Sequence, residues 1–297
     1  MRHTLRSIGK KGGIALRLGV VMTGMGAHAA ACVGVLRELE RRAVTPHAVC
    51  GLRAGAWPAA LFAAGMSVQS MEKALHQAAK AGPRLIAPVW YECLRAMPMR
   101  VPAGMRLNRL LDMQTGRRIL SMCHGEAMFP CRMMRTGQRV VFSTRSYMPD
   151  GGATLVMQAS VGFAARAAMG LAPFLLPMQY MGSALLGEAD TAFACRQLML
   201  MGADRVLLIE PCPSPRRMPD ALDMAGAALS FAAQQPPVPE TGVLRIVMPD
   251  DAGALSLGRL EECAAAGECA AREQLDAIFE RMGMAHCRVL AFRRRLI

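Results

Sequence analysis

Cys50-Gly51-Leu52-Arg53-Ala54-Gly55 is the stretch on which the fold of this chain turns. Val44 to Cys50 is short and apolar, as a buried strand is, and Ala54 to Ala64 is rich in Ala and Leu, as a helix is. Between them lies Gly-x-Arg-x-Gly. A strand that bends sharply into a helix needs residues without side-chain bulk on both sides of the bend, and Gly51 and Gly55 supply them. In hydrolases the middle residue of such an elbow is a serine nucleophile held above the sheet edge. Here the middle residue is Arg53. The scaffold for a nucleophile is written in the sequence while the nucleophile is absent.

Upstream, Leu18-Gly19-Val20-Val21-Met22 is a continuous apolar run, which predicts a strand buried on both faces. Thr23-Gly24-Met25-Gly26-Ala27-His28 follows as a glycine-containing loop. Ala29 to Arg42 then repeats its apolar residues with helical period through Val33, Leu36 and Leu39. The order strand, Gly loop, helix, strand, elbow, helix predicts a three-layer α/β fold. A Gly loop that opens a helix presents backbone N–H groups to a phosphate or an oxyanion. Alone it is a weak signal. Followed by an elbow about 27 residues later, it is a strong one.

With these residues in view, the chain resembles the patatin-like phospholipases of the small bacterial type. That family opens with GGGxRG, then a helix like GVLKALEEAGI, then GTSAG and ALYAAG. This chain reads Gly24-Met25-Gly26-Ala27-His28-Ala29, then Gly34-Val35-Leu36-Arg37-Glu38-Leu39-Glu40, then Gly51-Leu52-Arg53-Ala54-Gly55, then Ala60-Leu61-Phe62-Ala63-Ala64-Gly65. Gln138 to Thr144 is similar to the family's PVVFSS strand, Gln158-Ala159-Ser160 to its RAS, and Gly202-Ala203-Asp204 with Arg205 to Ile209 to its GAD strand. The resemblance runs over residues 18–285. It implies a central, mostly parallel sheet flanked by helices, and hydrolysis of lipid acyl esters by a Ser–Asp dyad.

The dyad is not carried over. Counting back from Gly202 by the family's spacing, its DGG or DGA motif falls on Leu186-Gly187-Glu188, so the aspartate position is Leu186. The DN-P that follows in the family falls on Thr191-Ala192-Phe193-Ala194. Arg is always protonated and Leu is no base, so neither does its counterpart's work. Two residues are candidate substitutes. Asp150-Gly151-Gly152 is a literal DGG, though it precedes the Ala159-Ser160 helix where the family's motif follows it; an Asx-type turn after Pro149 is its ordinary reading. Cys50, three residues before the elbow's centre, is a thiol whose ordinary reading is core. Ser160 and Ser183 have no His or Asp at a motif spacing. The loop residues Gly24, Met25, Gly26, Ala27 and His28 form the oxyanion or anion-binding candidate, with His28 in place of the family's loop arginine and Met25 and Ala29 in place of glycines. Arg53 itself either holds an anion at the helix N-terminus or points to solvent or to Glu188. The expectation is a lipid- or anion-binding or regulatory pseudoenzyme. The alternatives are an acyl hydrolase with non-standard residues and a membrane-surface protein that uses its basic ends and the apolar 153–187 stretch.

The rest of the chain is less informative. Residues 67–135 read as helix-rich and irregular, with helices at Met71 to Ala79 and Leu107 to Met113. Residues 212–241 read as loop, helix from Asp220 to Gln234, loop. Val243 to Pro249 reads as a strand and Ala264 to Met282 as a helix. Residues 1–17 and 286–297 are basic tails around a single patatin-like domain at 18–285. Residues 1–17 followed by an apolar run and Ala27-His28-Ala29 imitate a secretion signal, but Gly24 and Gly26 break the run, which fits an interior strand better.

Composition narrows the partners. The net charge is +13, and with four Lys, 31 of the 35 basic residues are Arg. Lipid headgroups, other anions and an anionic membrane surface are admissible; nucleic acid is not expected, because no basic run is interleaved with aromatics. Ten Cys without a CxxC give no metal site and no disulfide framework, and no motif calls for a cofactor. Reduced thiols place the chain in the cytoplasm, with peripheral attachment to a membrane an option. The oligomeric state is open.

Overall fold

A computed structural model describes residues 16–77, 79–80, 126–144, 154–159, 161–171, 177–216, 220, 223–224, 226–228 and 238–284. The strands are β1 Leu18–Met22, β2 Ala48–Gly51, β3 Glu126–Met133, β4 Arg139–Ser143, β5 Thr154–Gln158, β6 Met178–Tyr180, β7 Ser183–Gly187, β8 Arg205–Cys212 and β9 Thr241–Val247. The helices are α1 Ala31–Arg41, α2 Ala56–Ala63, α3 Val161–Ala168, α4 Thr191–Leu200 and α5 Leu260–Arg281. Residues 68–77 and 223–228 include further helical turns.

The sheet runs β5-β4-β3-β2-β1-β8-β9, with the β6–β7 hairpin joined to β3. The pairs β1–β2, β1–β8, β2–β3, β4–β5 and β8–β9 are parallel, while β3–β4, β3–β7 and β6–β7 are antiparallel. β1 is an interior strand, between β2 and β8, and period-two alternation sends its side chains to two cores. Leu18, Val20 and Met22 pack with α1, α2, α3 and α5, whereas Val21 packs with Phe193, Cys195 and Leu198 of α4. Helices thus cover both faces, and the chain has the three-layer α/β architecture that its opening predicts. The run that imitates a secretion signal is this interior strand.

Three expectations are corrected. Residues 126–133, inside the stretch read as helical and irregular, form the long strand β3. Pro130 argues against a central strand because it has no N–H to give the ladder. β3 tolerates it because its carbonyl, and hence its missing N–H, faces the edge where β2 has ended and β7 takes over: the Pro130 carbonyl accepts from Glu188 N–H at 3.2 Å. Among its described residues the apolar 153–187 stretch is largely core, with Leu155 and Met181 exposed. It supplies β5, α3 and the β6–β7 hairpin, and Val161, Ala164, Ala165, Ala168 and Leu185 are core. Arg17, assigned to the basic tail, belongs to the domain: its guanidinium pairs with Asp204 (Nε to Oδ2, 3.2 Å) and its carbonyl accepts from Asp204 N–H at 2.8 Å. Residues 1–15 and 285–297, and the helix expected at Leu107 to Met113, lie outside the described residues.

Candidate functional site

The elbow follows from close packing at the ends of β1 and β2. Leu52 N–H donates to Met22 O at 2.9 Å, which ties the turn to the end of β1. A Cβ on Gly55 would stand 2.1 Å from Met22 O, and one on Gly51 would stand 2.5 Å from Ala56 Cα. Both positions therefore require glycine. The backbone then takes Arg53 to φ +51°, a left-handed angle that a residue with a Cβ rarely adopts. A short 3-10 turn, Arg53–Gly55, leads into α2. The sharp, strained geometry of a nucleophile elbow is present with an arginine at its apex.

That arginine is buried, with only 6% of its surface exposed. It does not point to solvent. Its Nη1 donates to Gly226 O at 3.3 Å and lies 3.7 Å from Met25 Sδ. Burial pulls the guanidinium pKa below its ordinary value, while the Glu210 and Glu188 carboxylates act in the other direction. Arg53 is thus a desolvated cation between a carboxylate on β8 and one that follows β7. An arginine keeps its proton even so. It can bind and orient an anion, but it cannot attack an acyl carbon.

The mapped aspartate position lies at the neighbouring strand end. β4 occupies one edge of β3, so β2, at 126–128, and β7, at 131–133, share the other edge. β7 therefore runs toward the end of β2 and brings Leu186-Gly187-Glu188 to the elbow. Leu186 registers with Arg132 and is half-buried. The carboxylate in this region is Glu188, and it is committed. Its Oε2 accepts from Arg132 Nη2 and Arg139 Nε, each at 3.0 Å, and its Oε1 accepts from the N–H groups of Ala189 and Asp190 at 2.9 and 3.2 Å. Burial would raise its pKa, but the Ala189 N–H, Arg132, the Asp190 N–H and Arg139 together hold it below the ordinary value. Arg139 also pairs with Asp190 at 2.7 Å, and Asp190 caps α4 by accepting from Phe193 N–H at 2.8 Å. This is an ion cluster in which Glu188 and Asp190 are both engaged by arginines and backbone N–H groups.

The Gly loop is occupied by the protein itself. Ala27 N–H donates to Ala254 O at 2.7 Å. His28, a member of the candidate anion-binding loop, is buried, with Nε2 2.9 Å from Ala252 O and Nδ1 3.6 Å from Asp223 Oδ1. Since a carbonyl only accepts, His28 carries a proton on Nε2. Met25 packs over the elbow with Ala254, and a Cβ on Gly226 would meet Met25 Cγ at 2.5 Å. Met25 and Gly226 therefore close over Arg53.

Of the substitute nucleophiles, Cys50 is fully buried in the core shared with Cys195, and burial pushes its thiol well above the ordinary value. It stays protonated near neutral pH and faces no site. Asp150 and Ser160 lie outside the described residues. Ser183 Oγ accepts from Arg135 N–H at 3.1 Å, a structural role. Among the described residues no group of three His, Cys, Asp or Glu side chains could hold a metal, and no helix is long and apolar enough to cross a membrane.

The residues that sequence reasoning missed are Glu210, Asp223 and Gly226. The turn that bears the last two starts where the sequence places a helix, at Asp220, through reciprocal bonds: Asp223 N–H to Asp220 Oδ1 at 2.9 Å and Asp220 N–H to Asp223 Oδ2 at 3.0 Å. Its start was legible; its seat on an elbow 173 residues away in sequence was not.

No family model matches the chain, and no curated protein sequence does. Among solved structures it is similar to VipD from Legionella pneumophila, at 12% identity and a TM-score of 0.46 over 92% of this chain and 72% of that one. It is also similar to the type III effector protein ExoU, at 15% identity and a TM-score of 0.41 over 90% of this chain and 54% of that one. Full-length ExoU in complex with SpcU from Pseudomonas aeruginosa gives 16% and 0.36, so the chain spans about half the length of ExoU.

Proposed function

We propose that this chain is a patatin-like acyl-hydrolase scaffold that has given up hydrolysis and binds an anionic group, a phosphate or carboxylate of a lipid, at Arg53. The motif order from residue 24 to residue 65 supports the family reading. One observation carries the function: at the apex of an intact elbow, at φ +51°, stands a buried guanidinium. A desolvated cation gains more from an anion than an exposed one does, the planar guanidinium binds phosphate or carboxylate through two parallel N–H bonds, and the N-terminus of α2 adds its dipole. Among the described residues the candidates do not support hydrolysis: Arg53 is no nucleophile, Cys50 is buried and protonated, and Glu188 is held by two arginines. Entry of an anion requires Met25 and Gly226 to move aside, which makes binding conditional and suits a regulatory role.

The test is calorimetric titration of the full chain with inorganic phosphate and with decanoate, beside Arg53→Met. Methionine keeps the length and the strained backbone but removes the charge. Binding that is present in the parent and lost in Arg53→Met is expected. Binding that is absent from the parent, or equal in both proteins, contradicts the reading.

A further inference from the structure

One hairpin tip away from the elbow violates both preferences that govern exposed turns. β6 and β7 are joined by Met181 and Gly182 alone, with Tyr180 paired to Ser183. Both linking residues have positive φ, +49° and +72°. A two-residue hairpin loop of this kind favours Asn, Asp or Gly at its first position. Met181 has a Cβ and no polar group to bond the backbone, yet it holds that strained position, and its apolar side chain is 73% exposed. Backbone and solvent both disfavour methionine here. Strain that persists without a structural benefit points to function.

The β3–β4 turn lies beside this hairpin tip. Met134 N–H donates to Ala184 O at 2.8 Å, and Arg135 N–H donates to Ser183 Oγ at 3.1 Å, so the two turns make one surface. Met134 is 64% exposed. Arg135 is exposed as well, and its guanidinium forms no ion pair among the described residues. Neither 134–138 nor 179–183 contains an acidic residue. The nearby acids, Glu188 and Asp190, are buried and already paired with Arg132 and Arg139. The surface is therefore apolar at two points and cationic between them.

Its position also matters. β3 runs parallel to β2, Met128 is level with Cys50, and β3 continues to Met133. At about 3.3 Å per residue the turn rises about 16 Å past the level of Cys50, on the sheet edge that carries the elbow. Whatever the two methionines enter meets that edge of the molecule.

We propose that the paired turns at 134–138 and 181–182 dock the protein onto an anionic lipid membrane, with Met134 and Met181 inserted among the acyl chains and Arg135 on a lipid phosphate. A fluid lipid surface accepts isolated side chains without shape complementarity. A stable protein partner needs about 800 Å² on each side, far more than two turn tips present. Methionine is flexible enough to pack against disordered chains, and the net charge of +13 complements an anionic surface. This docking surface is independent of the elbow reading, since it uses none of the elbow's residues.

The experiment is co-sedimentation of the full chain, basic ends intact, with vesicles of phosphatidylcholine alone or with phosphatidylserine. It compares the parent with Met134→Ser/Met181→Gly and with Arg135→Glu. Glycine at 181 suits the positive φ, so the double variant keeps its thermal midpoint and a loss of binding is not a loss of fold. The parent is expected to bind the phosphatidylserine vesicles more tightly, the double variant to bind both compositions at least about tenfold more weakly, from the apolar burial of the two side chains, and Arg135→Glu to lose the preference for phosphatidylserine. The proposal is overturned if the parent binds neither vesicle, if both variants bind like the parent, or if the methionines instead drive self-association seen in sedimentation velocity.

Discussion

Arg53 occupies a backbone conformation that costs about 1–2 kcal/mol for a residue with a Cβ, and the surrounding packing enforces it. The enforcement comes from Gly55, whose missing side chain lets α2 start against Met22 O. Gly55→Ala would place a Cβ 2.1 Å from that carbonyl, on backbone that cannot yield. The substitution is expected to destabilise the fold by about 3 kcal/mol or more, read as a lowered urea midpoint. Met25 is the other half of the residue-scale argument. Met25→Ala removes the side chain that lies against Arg53 Nη1. It should lower stability by about 2 kcal/mol or more and at the same time enlarge the rise in thermal midpoint produced by phosphate, because the guanidinium is then uncovered. A midpoint shift no larger than the parent's would show that Met25 does not guard the cation. At this scale the sequence was explicit about Gly51, Arg53 and Gly55, because an elbow is local. It was misleading about His28. A histidine in a Gly loop reads as a contact for an anion, whereas its partners here, Ala252 O and Asp223, come from segments about 200 residues away.

At the scale of elements, α1 and α5 approach so closely that each must present a glycine to the other. A Cβ on Gly34 would lie 1.8 Å from Ala264 O, and one on Gly267 would lie 2.0 Å from Ala31 O. Gly34→Ala forces the two helices apart and is expected to cost about 3 kcal/mol or more, measured by thermal unfolding; the gain in helix propensity, about 1 kcal/mol, is too small to offset it. The same helix carries a buried acid. Hydrogen bonds from Arg41 and Arg42 hold Glu38 at a pKa of about 2 against an ordinary 4.5, with burial opposing them. A carboxylate with a depressed folded pKa stabilises fully above its unfolded value and loses that contribution as the pH falls through the folded one. The parent should therefore lose stability between about pH 4.5 and pH 2, and Glu38→Gln should show a flatter dependence in that window. A matching slope in both proteins would remove Glu38 from the account. Element existence was legible where periodicity is strong: β1, α1, β8, β9 and α5 lie close to the expected positions. β3 was not legible, because Pro130 and the charged Glu126 and Arg132 interrupt its pattern. The fit depends on β7 replacing β2 along one edge, which no local window contains.

At the scale of the whole molecule, the three-layer fold assembles a site from parts that are remote in sequence. The elbow and loop come from the first 55 residues, the ion cluster from 132–190, one flanking carboxylate from β8 and the carbonyl against Arg53 from Gly226. A sequence can declare a missing nucleophile but cannot declare that the space above it is filled, since that depends on how distant segments come to rest. The arrangement is specific: a buried guanidinium at the apex of the elbow with Met25 against it, and an ion cluster of Glu188, Arg132, Arg139 and Asp190. The central claim is that this arrangement does not turn over esters. The most direct measurement is hydrolysis of a short-chain nitrophenyl ester and of phosphatidylcholine by the native chain, beside Cys50→Ala, Asp150→Ala and Arg53→Ser/Leu186→Asp. The account predicts no turnover by the native chain above a heat-denatured control. Turnover by the native chain that Cys50→Ala or Asp150→Ala abolishes would contradict it.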